Sequence, residues 1–169
     1  VSLRRGSAPT SYDSRKYGLV SPVKSQMDCG SCVAFSTMAA VETCFKKVTG
    51  VFGDYSEQQF VDCGYEKNGA NGCNGAAPHA YAKYWGDNKL GLAHESQYPY
   101  LNTQPNLYCP KLPTYNQGAK ITGSYYTYSG DEETLKQLVY EHGAVVVTVK
   151  SKGPFMEYKG GIFAGCPSG

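Results

Sequence analysis

The tract Lys24-Ser25-Gln26-Met27-Asp28-Cys29-Gly30-Ser31-Cys32-Val33-Ala34-Phe35-Ser36 sets two cysteines three residues apart, in a chain with seven cysteines in all. Three chemistries use such a pair. A structural zinc site takes four Cys or His ligands, usually as two closely spaced pairs. Only one close pair is present, and no other Cys or His lies within four residues of Cys63, Cys73 or Cys109. A dithiol redox centre takes the pair at a helix start behind a strand, in an alternating α/β pattern. The helix is predicted here, but the flanking pattern is absent. The third chemistry divides the labour: Cys29 is held in a disulfide and Cys32 is a nucleophile at a helix N-terminus. The unpaired N–H groups and the dipole of such a helix favour the thiolate, which is the reactive form. The same N–H groups can hold an oxyanion, and Gln26 adds a side-chain amide donor six residues earlier. A Cys32 that is inert or disulfide-bonded is the plain alternative, and the spacing by itself leaves it open.

These groups must be positioned by the elements around them. Residues 1–23 carry turn and strand signals and no helical period. From Ser31 onward Ala34, Phe35, Met38, Val41, Phe45 and Val48 recur at steps of three and four, and Gly50 follows Lys46 and Lys47. The spacing predicts a buried amphipathic helix over residues 31–49. Ser56-Glu57-Gln58-Gln59 has the form of a capping box and opens a short second helix. A third is predicted over residues 76–84 and a fourth over residues 131–142. Between them lie Gly- and Asn-rich loops. Residues 121–128 alternate as a strand does, and residues 144–149 are β-branched. Helices first and strands later predict an α+β protein in two lobes.

The composition excludes several classes. No apolar run reaches the roughly 18 residues of a membrane span. A net charge of +2 with no cluster of Lys and Arg speaks against nucleic acid as a partner. The seven cysteines are spread through Gly-, Asn- and Pro-rich loops, which reads as a disulfide framework from an oxidising compartment. An odd number requires at least one free thiol or a bond to another chain. With no initiator Met and no signal-peptide core, Val1 is read as the product of processing.

The segment Gln26-x-x-Cys29-Gly30-Ser31-Cys32-x-Ala34-Phe35-Ser36 resembles the active-site segment of the papain and cathepsin cysteine proteases. The likeness continues in order through Ser56-Glu57-Gln58-Gln59-x-Val61-Asp62-Cys63, Gly72-Cys73-Asn74-Gly75, Tyr98-Pro99-Tyr100 and Tyr158-x-Gly160-Gly161-Ile162-Phe163, and so covers nearly the whole chain from Pro9 on. It implies a helical lobe and an antiparallel, barrel-like β lobe with the active-site cleft between them. The expected division is a residual N-terminal segment over residues 1–8, a mainly helical lobe over 9–117, and the first part of the β lobe over 118–169.

Carried over residue by residue, the resemblance makes Cys32 the nucleophile and Gln26 the oxyanion donor, beside Gly30 and Ser31. It pairs Cys29 with Cys73 and Cys63 with Cys109. Cys166 falls where the family bonds to a cysteine further along, and Cys44, which matches no family cysteine, is expected to be a buried free thiol. Gly75-Ala76 stands where the family's backbone pairs with an extended substrate. Ala77, Pro78 and Val147 match the S2 pocket, which implies an apolar P2 side chain. The interval between Cys73 and Cys109 has no room for an occluding insertion, so endopeptidase action is expected. No cofactor and no metal are implied.

There are departures. Val33 stands where the family has an aromatic residue, Ser14 replaces a Trp after Asp13, and Ala76 replaces a second Gly. The family's catalytic His and Asn lie beyond the last block, after Gly169. His79, in the predicted third helix, His94 in a loop and His142 at a helix end are poor substitutes. Two readings follow. In one the chain is the long chain of a cysteine endopeptidase, made and matured as a zymogen and secreted or held in a lysosomal or vacuolar compartment. Its partners would be peptide substrates, a propeptide or cystatin-type inhibitor, and a second chain that brings the His, the Asn and a Cys for Cys166. In the other it is a non-catalytic relative that binds peptides or partners without cleaving them.

Overall fold

The structure is a computed structural model, and it describes residues 7–105, 109, 119–124 and 130–163. Its frame is four helices: α1 (Cys32–Thr49), α2 (Glu57–Cys63), α3 (Ala80–Asn88) and α4 (Glu132–His142). Short 3-10 turns at Ser14–Tyr17 and Gly153–Glu157 flank them. Helices α2, α3 and α4 each pack on α1.

Helix α1 runs as the apolar spacing predicts and stops at Gly50, whose φ of 76° lets its N–H close on the Lys46 carbonyl. Its inner face brings Ala34 and Met38 against Phe60 and Val61 of α2 and Tyr81 and Trp85 of α3, all of them at most 1% exposed. Phe60 lies face to face with Tyr81 at 5.1 Å and meets Trp85 edge-on at 4.6 Å. Large rings in these orientations contribute beyond their buried area, so this is the densest part of the core.

Helix α2 is polar in sequence yet buried along its whole length. Its side chains are the hydrogen-bond partners that nearby loop backbone requires. Ser56 caps the Gln59 N–H, as the capping box predicts. The Gln59 amide accepts from Ala93 N–H and donates to the Gly91 carbonyl. The Gln58 amide donates to Asp62 and accepts from Leu101 N–H. Buried polar atoms that all find partners are tolerated, and these tie α2 to the chain from Gly91 to Leu101.

Helix α3 starts at Ala80, four residues later than the sequence pattern predicts, with His79 at its N-cap position. The residues before it are diverted into loop pairing: Ala76 bridges Ala70, and Ala77 N–H donates to the Gly69 carbonyl at 3.0 Å. Helix α4 begins under an Asp131 cap on Thr134 and ends at Gly143. A Cβ at Gly143 would lie 2.7 Å from Thr43 of α1, so only glycine lets α4 end there. Ser14, the residue in the Trp position, donates its hydroxyl to the Gly143 carbonyl.

The predicted strands are not found. Among the described residues β pairing is limited to isolated bridges, Gly30 with Asn74, Tyr55 with His94, Ala70 with Ala76, and Gly91 with Lys120. Residues 121–124 and 144–149 form no ladder, and residues 125–128 lie outside the described part. Val147 and Val149 are 57% and 58% exposed and Ile162 is 98% exposed, and among the described residues no strand covers the β-branched run. A single strand cannot satisfy its own N–H and C=O groups, and alternation in sequence becomes a sheet only when a neighbour is present.

A charge cluster joins the approach to α1 with the start of α2. Lys24 Nζ lies 3.1 Å from Glu42, 2.9 Å from Glu57 and 2.8 Å from Asp54. Glu42 and Glu57 are almost wholly buried, and Glu42 also accepts from Tyr55 N–H. Burial opposes the Lys24 charge, but the bonds to Asp54 and Glu57 outweigh it and raise its pKa. The opposite balance holds at Glu57: burial outweighs the Lys24 bond and pushes the carboxyl from 4.5 up to about 7. Burial is thus the main cause, with a smaller push from the Glu42 charge, and Glu57 in the folded protein holds its proton below about pH 7. Burial raises Glu95 as well, with the same sign.

A folded-state pKa above the unfolded value means that the folded chain holds the proton more tightly. The stabilisation is complete below about 4.5 and is lost as pH rises through about 7. Thermal melts are expected to show stability falling across that window, by on the order of 2 kcal/mol from this group. Glu57→Gln should flatten the slope; an unchanged slope would show that Glu57 does not carry the proton.

Candidate active site

Cys32 is the first residue of α1, and its side chain is a free, exposed thiol. Ser31 occupies the N-cap position, but its hydroxyl makes no capping bond. It lies instead 2.8 Å from the Tyr100 hydroxyl and 3.4 Å from the Cys29 carbonyl. The first intrahelical bond runs from Phe35 N–H to the Ser31 carbonyl. The N–H groups of the first turn therefore keep the positive end of the helix uncapped beside the Cys32 sulfur.

The loop before the helix is held from several sides. Cys29 is bonded to Cys73, and Gly30 N–H donates to the Cys73 carbonyl at 2.9 Å. A Cβ on Gly30 would stand 2.3 Å from that carbonyl oxygen, so the approach is open only to glycine. Cys29 N–H donates to the Asn102 side chain at 3.1 Å. The Gln26 amide donates to the Cys29 carbonyl at 2.9 Å, which folds its side chain back toward the helix start. An amide nitrogen has a second hydrogen to give.

The second cross-link, Cys63 to Cys109, ties the end of α2 to the long loop. With Cys29 and Cys73 consumed, the pair at 29 and 32 is neither a metal knuckle nor a redox dithiol in this structure. No group of three metal-ligating side chains occurs among the described residues. Cys44 is also free, on the middle of α1, but half-buried rather than fully buried. Burial pushes its thiol up, against the pull of Lys47. Cys166 lies outside the described residues.

The predicted substrate-binding residues divide into two groups. Gly30, Ser31, Gly75, Ala76 and Ala77 are brought together through the bridge between Gly30 and Asn74. Gly75 has a φ of 101° with open space where a Cβ would be, and Ala76 and Ala77 pack against the core. Pro78 follows them, exposed. Val147 belongs to the uncovered segment after α4 and is outside that group. The histidines have places in their own elements: His79 precedes α3, His94 stacks on Tyr55 at 5.1 Å, and His142 ends α4.

Sequence reasoning missed three contributors. Asn102 was legible only as a turn residue, yet with a φ of 54° it presents its side chain to Cys29. Tyr100 was legible as part of the Tyr98-Pro99-Tyr100 block, but with no role attached to it. Tyr81 of α3 is buried and stacked on Phe60; burial first, and the electrostatic influence of Cys32 after it, push its phenol up to about 12. Val33, beside Cys32, is buried in the same cluster as Tyr81. No local pattern announces a contact made from another helix.

An exposed thiol on a helix N-terminus, with a side-chain amide held on the same loop and a disulfide bracing that loop, is an arrangement in which a thiolate can be stabilised. Residues 8–168 match the family model described as papain family cysteine protease. Mexicain of Jacaratia mexicana is 38% identical over 157 residues, 93% of this chain and 70% of that protein. A cathepsin L-like proteinase of Fasciola hepatica is 38% identical over 92% of this chain and 46% of its own length. Among solved structures, digestive procathepsin L2 proteinase from Tenebrio molitor larval midgut superimposes with a TM-score of 0.81 at 34% identity, over 97% of this chain and 51% of that one. The chain belongs to the papain family of cysteine proteases, and it spans about half the length of several of the relatives it matches.

Iodoacetamide at mildly acidic pH, followed by peptide mapping, is expected to label Cys32 first and Cys44 slowly, because the thiolate is the reactive form. Faster labelling of Cys44 would remove Cys32 from its assigned role.

Proposed function

We propose that the protein is a cysteine endopeptidase in which the Cys32 thiolate attacks a peptide carbonyl. The attack gives a tetrahedral oxyanion, which the first-turn N–H groups of α1 and the Gln26 amide stabilise. Its collapse releases the amine and leaves an acyl group on Cys32, which water then removes. The observation that carries this reading is the exposed Cys32 thiol at an uncapped helix start, with Gln26 folded onto the same loop.

A thiolate needs a base to take and return a proton, and a group to orient that base. We assign both to a His and an Asn from a segment or second chain that follows Gly169. The same segment would complete the β lobe and bond to Cys166. The exposed Val147, Val149 and Ile162 support this, since a small lobe does not leave such apolar surface in water. If the material is two-chained, reducing agent should release a fragment of a few kilodaltons that non-reducing electrophoresis retains.

Substrate is expected to lie extended along Gly75 and Ala76, by backbone pairing. The small apolar side chains of Ala77 and Pro78, with Val147 once that segment is covered, favour an apolar P2 residue. Two disulfides fit an oxidising compartment. The proton on Glu57 fits an acidic one, and a secreted or lysosomal setting meets both. No helix among the described residues is long and apolar enough to cross a membrane.

Two variants test the reading. Cys32→Ser should abolish peptide hydrolysis in the full-length protein while leaving its melting temperature unchanged. Gln26→Ala should lower kcat by on the order of 10²- to 10³-fold with little change in KM, because an oxyanion donor acts on the transition state. Retained turnover in the Cys32→Ser protein would favour the non-catalytic reading for this site and place the activity elsewhere.

A further inference from the structure

The oxyanion donors proposed above come from two places, the first turn of α1 and the side chain of Gln26, and something must hold them in register. The segment between them is irregular, with Met27 at a φ of 52°, and Met27 is 66% exposed. Its own packing cannot set the distance from Gln26 to the helix.

One hydroxyl spans that gap. Tyr100 Oη donates to the backbone carbonyl of Gln26 at 2.9 Å. A phenol has one proton, so the 2.8 Å contact with Ser31 is the serine hydroxyl donating to Tyr100. That bond draws Ser31 away from the capping bond its residue type favours at a helix start. The first-turn N–H groups are thereby left for a ligand. A single oxygen thus bonds the residue that carries one oxyanion donor and the residue that would otherwise cap the other.

Tyr100 is itself held firmly enough to act as a reference point. Its ring meets Phe35 of α1 edge-on at 4.8 Å. Its N–H donates to Glu95 at 2.6 Å, and the next residue, Leu101, is tied to the buried Gln58 of α2. Asn102 then reaches back to Cys29. The position of the oxyanion donors is referred through this strap to the buried core.

We infer that Tyr100 is a positioning residue of the active site, whose hydroxyl sets the Gln26 amide against the helix start that carries Cys32. The inference rests on the reading of Cys32 and Gln26 given above. Tyr100 touches no substrate; it acts through Gln26 and Ser31.

The test is a double-mutant cycle in the full-length protein, with kcat and KM measured on a fluorogenic peptide. Tyr100→Phe keeps the ring and removes the hydroxyl. It is expected to lower kcat about tenfold with KM nearly unchanged, the kinetic equivalent of one hydrogen bond. In a Gln26→Ala background the same change should cost less than about twofold, because the placement of an absent amide has no consequence. A purely structural tyrosine would give equal losses in both backgrounds, and that additivity overturns the inference. So does a rise in KM at constant kcat. An impaired Gln26→Ala enzyme beside an unimpaired Tyr100→Phe enzyme overturns the inference alone, whereas an unimpaired Gln26→Ala enzyme sinks the oxyanion reading and the inference with it. Should Tyr100→Phe fail to fold by circular dichroism, Ser31→Ala, which cuts only one of the two bonds, takes its place in the same cycle with the same outcomes.

Discussion

The clamp between the Cys29-Gly30 loop and Cys73 is the constraint on which the site depends. A disulfide and a backbone hydrogen bond act on adjacent residues there, and the contact is so close that only glycine fits. The disulfide closes a separation of 44 residues. In the chain-entropy description, that restricts the unfolded chain by about 4 kcal/mol. Its geometric consequence matters more. It places the start of α1, with Cys32, against Asn74 and Gly75. The proposed nucleophile and the proposed substrate-binding backbone are thus held side by side.

Around that clamp the protein spends polar groups where a simpler fold would use apolar ones. Helix α2 is buried yet carries two glutamines, a glutamate and an aspartate. The glutamines bond the backbone at Gly91, Ala93 and Leu101, Glu57 pairs with Lys24, and Asp62 accepts from Gln58 and Tyr98. The segment so held brings Tyr100 and Asn102 to the loop before α1. A loop held by directed bonds has fewer alternative positions than one held by hydrophobic contact alone. The Lys24 cluster follows the same plan with charges, and an excess of carboxylates makes its balance depend on pH. Two disulfides brace this arrangement, which fits an oxidising setting.

The exposed apolar residues after α4 describe the other half of the architecture. Val147, Val149, Met156 and Ile162 are exposed on segments that pair with nothing among the described residues. The helical lobe, by contrast, closes its own core around Phe60, Tyr81 and Trp85. The two parts of the chain differ because helices satisfy their backbone bonds locally, whereas an extended segment must find a neighbour.

The sequence by itself determined the features whose causes are local. Apolar residues at helical spacing made α1 legible to within a residue, and Gly50 marked its end because glycine alone adopts that φ without strain. Ser56 announced α2 because a capping oxygen acts on N–H groups two or three residues away, and α4 runs over the predicted residues under an Asp131 cap that the structure shows. The order of the motifs carried Cys32 and the family. Tertiary structure decided the rest. The onset of α3 moved to Ala80 because Ala76 and Ala77 found loop partners that no periodicity encodes. Residues 144–149 form no ladder among the described residues, because a β pattern becomes a strand only with a partner. Tyr100 meets Ser31 across 69 residues, and Asn102 meets Cys29 across 73. The Tyr98-Pro99-Tyr100 block is visible in sequence, but only the fold brings the Tyr100 hydroxyl to the start of a distant helix. Contacts of that kind depend on the whole chain, and they are where the geometry of this site is set.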